Sequence, residues 1–200
     1  MRLSSYNWSM TFKTEFLPQL GRRKHGFNSM FKRLGLRARQ YGKVVIVETG
    51  CLRLRSGRLD WRGTGCSSII FESFVEEFSG EFTSIDISRK QCSVARRYCP
   101  RANVVCGDSI VTLHKLRKQI ARIDLLYLDS LDLDWKAPHA SALHHLNELC
   151  AASPMLRPGS LVFVDDNQNG IGKGMYIREY MDKIRAKQIC DDYQIGYVMQ

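Results

Sequence analysis

Five short apolar runs, each closing on polar or acidic residues, constrain this chain more than any other feature. Residues 43–50 read Lys-Val-Val-Ile-Val-Glu-Thr-Gly, a continuous β-branched stretch that predicts a strand buried on both faces. Further strands are expected over 81–86, 102–106, 123–129 and 160–165. Between them lie stretches with helical apolar spacing, at 67–78, 88–98, 109–119, 140–155 and 175–183. Ser67 or Ser68 is the expected cap of the first and Ser88 of the second, and Pro100 stops the latter. Pro158 and Gly159 read as a turn before the fifth strand. Residues 187–190 and 193–199 read as a closing hairpin around Asp191-Asp192. Strand and helix alternate. The fold class is therefore α/β: a Rossmann-like sandwich, mostly parallel, with a C-terminal antiparallel hairpin.

The chain has 200 residues, enough for one core, and no run approaches the ~18 apolar residues of a membrane span. Its net charge of +10 is unevenly placed. Residues 1–43 hold ten basic residues and one acid, so the remainder is nearly neutral. Two segments are expected: a basic, partly helical leader over 1–42 and an α/β domain over 43–200. In the leader, Phe27, Met30, Phe31 and Leu34 recur at helical spacing, and Gly35 or Gly42 can end that helix. A partly docked leader, a substrate lid and a polyanion contact all fit this pattern. The seven cysteines form no C-x-x-C pair, which points to free thiols and a cytoplasmic location rather than a zinc site.

In an open parallel sheet, ligands bind outside the carboxyl ends of the strands. Glu48, Thr49 and Gly50 end the first strand, Asp86 the second, Asp108 and Ser109 follow the third. Asp129 ends the fourth, and Asp165, Asp166 and Asn167 follow the fifth. Asp86 stands where a carboxylate accepts both hydroxyls of a ribose, and Asp108 with Ser109 where an adenine would lie. Glu48 can orient the amides of the first turn or a cationic ligand group. No G-x-G-x-x-G follows the first strand, and no glycine leads into Gly-Lys-Ser/Thr, so the dinucleotide fingerprint and the P-loop are both excluded. Gly65-Cys66-Ser67-Ser68 at a helix start suits a small anion such as a carboxylate.

Asp129, Asp165 or Asp166, and Asn167 offer the oxygen ligands that Mg²⁺, Mn²⁺ or Ca²⁺ prefer. Such an ion would lower the pKa of a substrate hydroxyl and orient it. Lys136 is the leading candidate general base and His139 its rival. His144 and His145 read as surface or half-buried helix residues.

Glu48-x-Gly50, Gly65 with small residues at a helix start, Asp86, Gly107-Asp108-Ser109 and Ile123-Asp124 through Asp129 together resemble class I S-adenosylmethionine-dependent methyltransferases over residues 43–200. The run from Met155 through Leu-Arg-Pro-Gly-Ser-Leu-Val-Phe-Val to Asp165-Asp166 is similar to the fifth-strand segment of the small metal-dependent O-methyltransferases of the catechol and sugar-modifying kinds. The resemblance implies S-adenosylmethionine and a divalent cation as cofactors. It places Asp86 on the cofactor ribose, Asp108 and Ser109 at the adenine, Ser67 and Ser68 near the methionyl carboxylate, and Glu48, Gly50 and Gly65 at the first turn. Asp129 matches the fourth-strand acid, shared between cofactor, catalysis and metal; relatives often carry an acid closely followed by Trp-Lys, so Asp132 and Asp134, before Trp135-Lys136, compete with it for that role. The stretch 51–64, with Arg53, Arg55, Arg58, Arg62 and Trp61, is longer than the compact first loop of that family. The expected reaction is methyl transfer to a hydroxyl oxygen of a small polar substrate. The expected partners are that substrate and a second copy of the chain. Two alternatives stand beside it: a nucleic-acid methyltransferase using the basic leader and the arginine-rich loop, and a binding module that keeps the fold without transfer.

Overall fold

The computed structural model describes residues 6–63 and 66–200. The chain opens with α1 (Tyr6–Thr11), continues through short π and 3-10 turns, and enters the long helix α2 (Lys24–Tyr41). Gly42, in a left-handed conformation, ends α2. There follow β1 (Val45–Thr49), a small ribbon of β2 (Leu54–Arg55) and β3 (Arg58–Leu59), and α3 (Ser67–Glu77). Next come β4 (Glu81–Asp86), α4 (Arg89–Tyr98), β5 (Asn103–Cys106), α5 (Ser109–Leu116), β6 (Ile123–Leu128), α6 (His139–Ala152) and β7 (Leu156–Val164). A second ribbon, β8 (Asn167–Gln168) and β9 (Ile171–Gly172), precedes α7 (Met175–Lys183) and the closing hairpin of β10 (Lys187–Asp191) and β11 (Ile195–Val198).

The main sheet has seven strands in the order β10-β11-β7-β6-β1-β4-β5. β5, β4, β1, β6 and β7 are mutually parallel, whereas β11 runs antiparallel to both β7 and β10. The chain runs outward from β1 to β4 and β5 on one side and restarts at β6 beside β1 on the other. The β1/β6 border is therefore the switch point, where a crevice opens beyond the strand ends. The α/β class, the parallel core and the closing hairpin agree with expectation. Pro158 and Gly159 differ: they lie within β7.

Every residue of β6 is buried, as a strand covered on both faces requires. On one face, Val47, Ile85, Leu126, Leu128, Val162 and Val164 pack with Leu113 of α5, Leu149 of α6 and Ile177 of α7. On the other, Ile46, Phe82, Leu125, Tyr127 and Phe163 pack with α3 and with the N-terminal region.

The N-terminal helices contribute to that second layer. Trp8, Phe12, Phe16, Phe27, Met30, Phe31, Leu34 and Ala38 are buried in the same cluster as the sheet. The Trp8 ring meets Phe74 of α3 edge-on at 5.0 Å, and Phe27 lies 5.7 Å from Tyr127. Two arginines fix α2 to the sheet at opposite ends. Arg37 donates to Asp124 at the start of β6 (2.7 Å), and Arg23, just before α2, donates to Asp165 beyond β7 (2.6 Å). Residues on both sides of position 42 share this core.

Candidate functional site

The crevice is built on β1 and β6. Gly50 takes φ +81° and its N–H bonds the Ile85 carbonyl at 2.7 Å, while Asp129 N–H bonds the Thr49 carbonyl at 2.9 Å. A Cβ at Gly50 would collide with the Asp129 carbonyl, so glycine is required both for the left-handed turn and for the close approach of the β6 end.

Asp86, half-buried, holds the next turn together. One oxygen accepts from Cys51 N–H (3.0 Å) and the other from Ser88 N–H (2.7 Å). A carboxylate has about four acceptor sites, so both oxygens retain capacity for a ligand's hydroxyls. Asp108 caps α5 by accepting from Val111 N–H at 2.9 Å. Ile85, Asp86, Ile87, Asp108, Ser109, Ser130, Leu131 and His144 line a cavity of about 130 Å³. Ile87, 74 % exposed, forms part of its wall.

Glu48 is buried and accepts from Ser67 Oγ (2.5 Å), Ser68 Oγ (2.6 Å) and Ser84 Oγ (2.8 Å). Burial pushes its carboxyl up to about 8 against the opposing pull of the three hydroxyls. Ser67 and Ser68 therefore serve neither as caps nor as hydroxyl donors to a ligand; Cys66 occupies the cap position of α3 without a side-chain bond. What the start of α3 still offers an anion is its backbone N–H groups. Gly65 lies outside the described residues.

A second buried carboxylate, Glu148 of α6, was not singled out from the sequence. It accepts from Thr49 Oγ1 (3.0 Å) and Ser130 Oγ (2.6 Å), and His144 Nε2 lies 3.2 Å away. Ser109 Oγ lies 3.2 Å from His144 Nε2. Burial alone would raise Glu148, but the His144, Ser109 and Ser130 contacts and the nearby His145 hold it below its ordinary value. His145 is fully buried, not a surface residue. Its Nε2 accepts from Ser130 N–H (3.2 Å), its Nδ1 faces the Ser141 carbonyl (2.7 Å), and burial lowers its pKa to about 4. The neutral ring thus carries its proton on Nδ1. The His144-x-x-x-Glu148 spacing, one helical turn, was the available signal.

Asp129, Asp165 and Asp166 converge as expected, but two side-chain cations stand among them. The buried Lys173 ammonium bonds Asp129 Oδ1 and lies 2.9 Å from Asp166 Oδ2. Arg23 takes Asp165 Oδ2. Tyr193 O–H donates to Asp166 Oδ1 at 2.5 Å. Asn167 is a structural residue: its amide nitrogen donates to the Val164 and Asp165 carbonyls, and its oxygen accepts from Gly174 N–H (2.8 Å) at the start of α7. Among the described residues, no group of three or more His, Cys, Asp or Glu is arranged to hold a metal ion. Asp165 Oδ1 is buried without a partner among the described residues. With the Arg23 and Lys173 cations already among these acids and Asn167 turned to the backbone, the four expected ligands do not fit a divalent cation between Asp129 and Asp166.

The loop from β6 to α6 separates the competing acids. Asp132 pairs with Arg53 at 2.8 Å, tying that loop to the 51–64 segment, and Asp134 accepts from Lys136 N–H. Asp129 alone of the three is buried. Lys136 is exposed on this loop. His139, at the start of α6, places Nδ1 2.6 Å from Tyr176 Oη of α7.

The chain matches no protein-family model and no curated protein sequence. Solved structures do match. A methyltransferase of mycinamycin biosynthesis (MycE), described with Mg and SAH, superposes on 99 % of this chain with a TM-score of 0.64 and 16 % identity. This chain spans only 55 % of the length of that protein. The calicheamicin methyltransferase CalS11 aligns over 97 % of this chain and 90 % of its own, with a TM-score of 0.59 and 16 % identity. The O-methyltransferase NovP aligns over 84 % and 80 %, with a TM-score of 0.55 and 16 % identity. At such identity the likeness establishes the fold: an α/β Rossmann-like methyltransferase architecture. No described helix is long and apolar enough to cross a membrane.

Proposed function

We propose that this chain transfers the methyl group of S-adenosylmethionine to a hydroxyl oxygen of a small polar substrate. The observation that carries the reading is the crevice at the β1/β6 border, where Asp86 and the adjoining apolar cavity stand together at the strand ends. Asp86 keeps acceptor capacity for two vicinal ribose hydroxyls. Ile87 and Leu131 supply apolar surface for a flat heterocycle, with Asp108 and Ser109 at its polar edge. An isoleucine as open as Ile87 at the mouth of a cavity is accounted for by a ring lying on it. The first turn of α3 offers N–H groups to the methionyl carboxylate. Gly50, with no side chain, lets the ligand approach the backbone above β1.

The cofactor supplies an electrophilic methyl on a sulfonium: the acceptor oxygen bonds to it as the C–S bond breaks, and a neutral thioether leaves. The protein therefore has to align oxygen, carbon and sulfur and receive one proton. Asp129 accepts the substrate hydroxyl through the oxygen that Lys173 does not use. His139 receives the proton: in the tautomer whose Nδ1–H donates to Tyr176 Oη, the Nε2 lone pair is open. Lys136, the other candidate base, is exposed like His139; His139 is preferred because an imidazole takes up a proton near neutral pH whereas a lysine ammonium first has to lose one. Magnesium accompanies SAH in the mycinamycin methyltransferase structure. Here Asp165 is engaged by Arg23 and Asp129 and Asp166 by Lys173, and no step is routed through a metal.

Two observations weigh against a nucleic-acid substrate. Arg23 and Arg37, two of the leader's cations, are spent on buried aspartates, and the crevice floor is acidic. The test is transfer of a labelled methyl group to a panel of sugars, diols and phenols. Asp86→Ala is expected to weaken S-adenosylmethionine about tenfold to a hundredfold, since about 1.5–3 kcal/mol of hydrogen bonding to a charged group is lost. A folded Asp86→Ala protein with unchanged affinity would remove Asp86 from the ribose.

A further inference from the structure

We propose that the Lys173 ammonium occupies the position a divalent cation would take between Asp129 and Asp166, so that this chain aligns its methyl acceptor without a metal there. The inference rests on the methyltransferase reading for its catalytic part, but its metal part stands alone.

Three carboxylates gather beyond β6 and β7, and adjacent Asp165 and Asp166 would repel one another without countercharge. The fold supplies that charge from two distant places. Arg23 arrives from the N-terminal layer and Lys173 from the turn leading into α7. Lys173 is fully buried, so its ammonium has no solvated alternative position and would be costly to move. Its backbone is pinned as well: its N–H bonds the Asp166 carbonyl at 3.2 Å, and the preceding Gly172 takes φ +137°. A Cβ at Gly172 would strike that same carbonyl, so the β8–β9 ribbon folds back tightly and delivers Lys173 to the acids.

An incoming cation would need lone pairs on at least two of these carboxylates. Asp129 Oδ1 and Asp166 Oδ2 face the ammonium, Asp166 Oδ1 faces Tyr193 Oη, and Asp165 Oδ2 faces Arg23, while Asp165 Oδ1 is buried without a partner among the described residues. The place between Asp129 and Asp166 is thus closed to a cation by the ammonium that fills it, not by a lack of lone pairs on the acids. Lys173 takes only one oxygen of Asp129, and the second is left for the acceptor hydroxyl. Lys173 is thus a positioning residue. It fixes Asp129, and Asp129 meets the substrate.

The experiment uses the full chain, with Mn²⁺ as the probe read by electron paramagnetic resonance. Wild type is expected to show no stoichiometric Mn²⁺ site at millimolar metal, and its transfer activity is expected to survive chelation. Lys173→Met, which keeps the stem and removes the charge, is expected to gain one Mn²⁺ site that Asp129→Asn added to it abolishes. Its metal-free turnover should fall about a hundredfold, as expected for a misplaced acceptor. Stoichiometric Mn²⁺ in wild type, loss of activity on chelation, or a folded Lys173→Met protein that gains no Mn²⁺ would each overturn the proposal. Should Lys173→Met fail to fold, the two wild-type measurements decide it. Calorimetry with S-adenosylmethionine on the same wild-type sample separates the two readings: absent cofactor binding refutes the methyltransferase reading, while the Mn²⁺ result still judges Lys173.

Discussion

Replacing Arg23 by methionine removes the guanidinium that faces Asp165 across 142 residues of sequence. Arg23 is 6 % exposed and Asp165 is fully buried, so Arg23→Met leaves a carboxylate without its partner in a water-poor site. Breaking a buried ion pair on one side costs about 3–5 kcal/mol, a large share of the ~5–15 kcal/mol that holds a domain together. The cost depends on pH in a definite direction. In the wild type, burial raises Asp165 from 3.8 to about 6, with Asp129 and Asp166 pushing the same way and Arg23 opposing. Between those values the folded protein holds a proton that the unfolded chain has released, so stability falls as pH rises through the window. Without Arg23 the window extends upward. The gap between wild type and Arg23→Met should therefore be small near about pH 5 and widen toward about pH 8. Adding Asp165→Asn removes the stranded charge, and at neutral pH the double variant should be more stable than Arg23→Met by about 2 kcal/mol or more. Urea unfolding of the four proteins across that range measures the cycle. A gap under ~0.5 kcal/mol, or one that does not change with pH, would refute the argument.

Glu48→Gln should alter the pH profile in a related way. Glu48 titrates at about 8 rather than 4.5, so wild-type stability falls as pH rises between those values, and the variant should gain on wild type over the same span in thermal melts. A difference constant with pH would contradict this. Deleting residues 1–42 should abolish folding: Phe27, Met30, Phe31 and Leu34 alone bury side chains each worth about 1.5–3 kcal/mol. A folded truncated protein by circular dichroism would restore the leader as an appendage. His139→Ala should lower kcat about 10²–10⁴-fold while leaving cofactor affinity unchanged, and an unaltered kcat would remove His139 as the base.

How far the sequence reveals this molecule depends on the range of each interaction. The run 43–50 and the stretch 123–129 announce strands because β-branched continuity is local, and Asp86 at a strand end follows from topology once those strands are in place. The helical spacing of Phe27, Met30, Phe31 and Leu34 is equally plain. Its destination is not, since the same spacing suits a docked lid and a core layer, and the surrounding positive charge suggests a surface role. Arg23 and Lys173 show the limit most clearly. Nothing in a local window says that a basic residue will be buried against an acid many positions away, so three converging aspartates read as a metal site with no sign of the two side-chain cations that meet them. The serines at 67 and 68 are similar: a hydroxyl at a helix start reads as a cap, and only packing turns it inward to Glu48.

The central claim is that the crevice at the β1/β6 border receives S-adenosylmethionine. Calorimetric titration of the wild-type chain with that compound tests it most directly. The account predicts a single site per chain, saturable in the micromolar range, with S-adenosylhomocysteine competing for it. No binding heat from either compound at millimolar concentration, with the protein shown to be folded, would contradict the account.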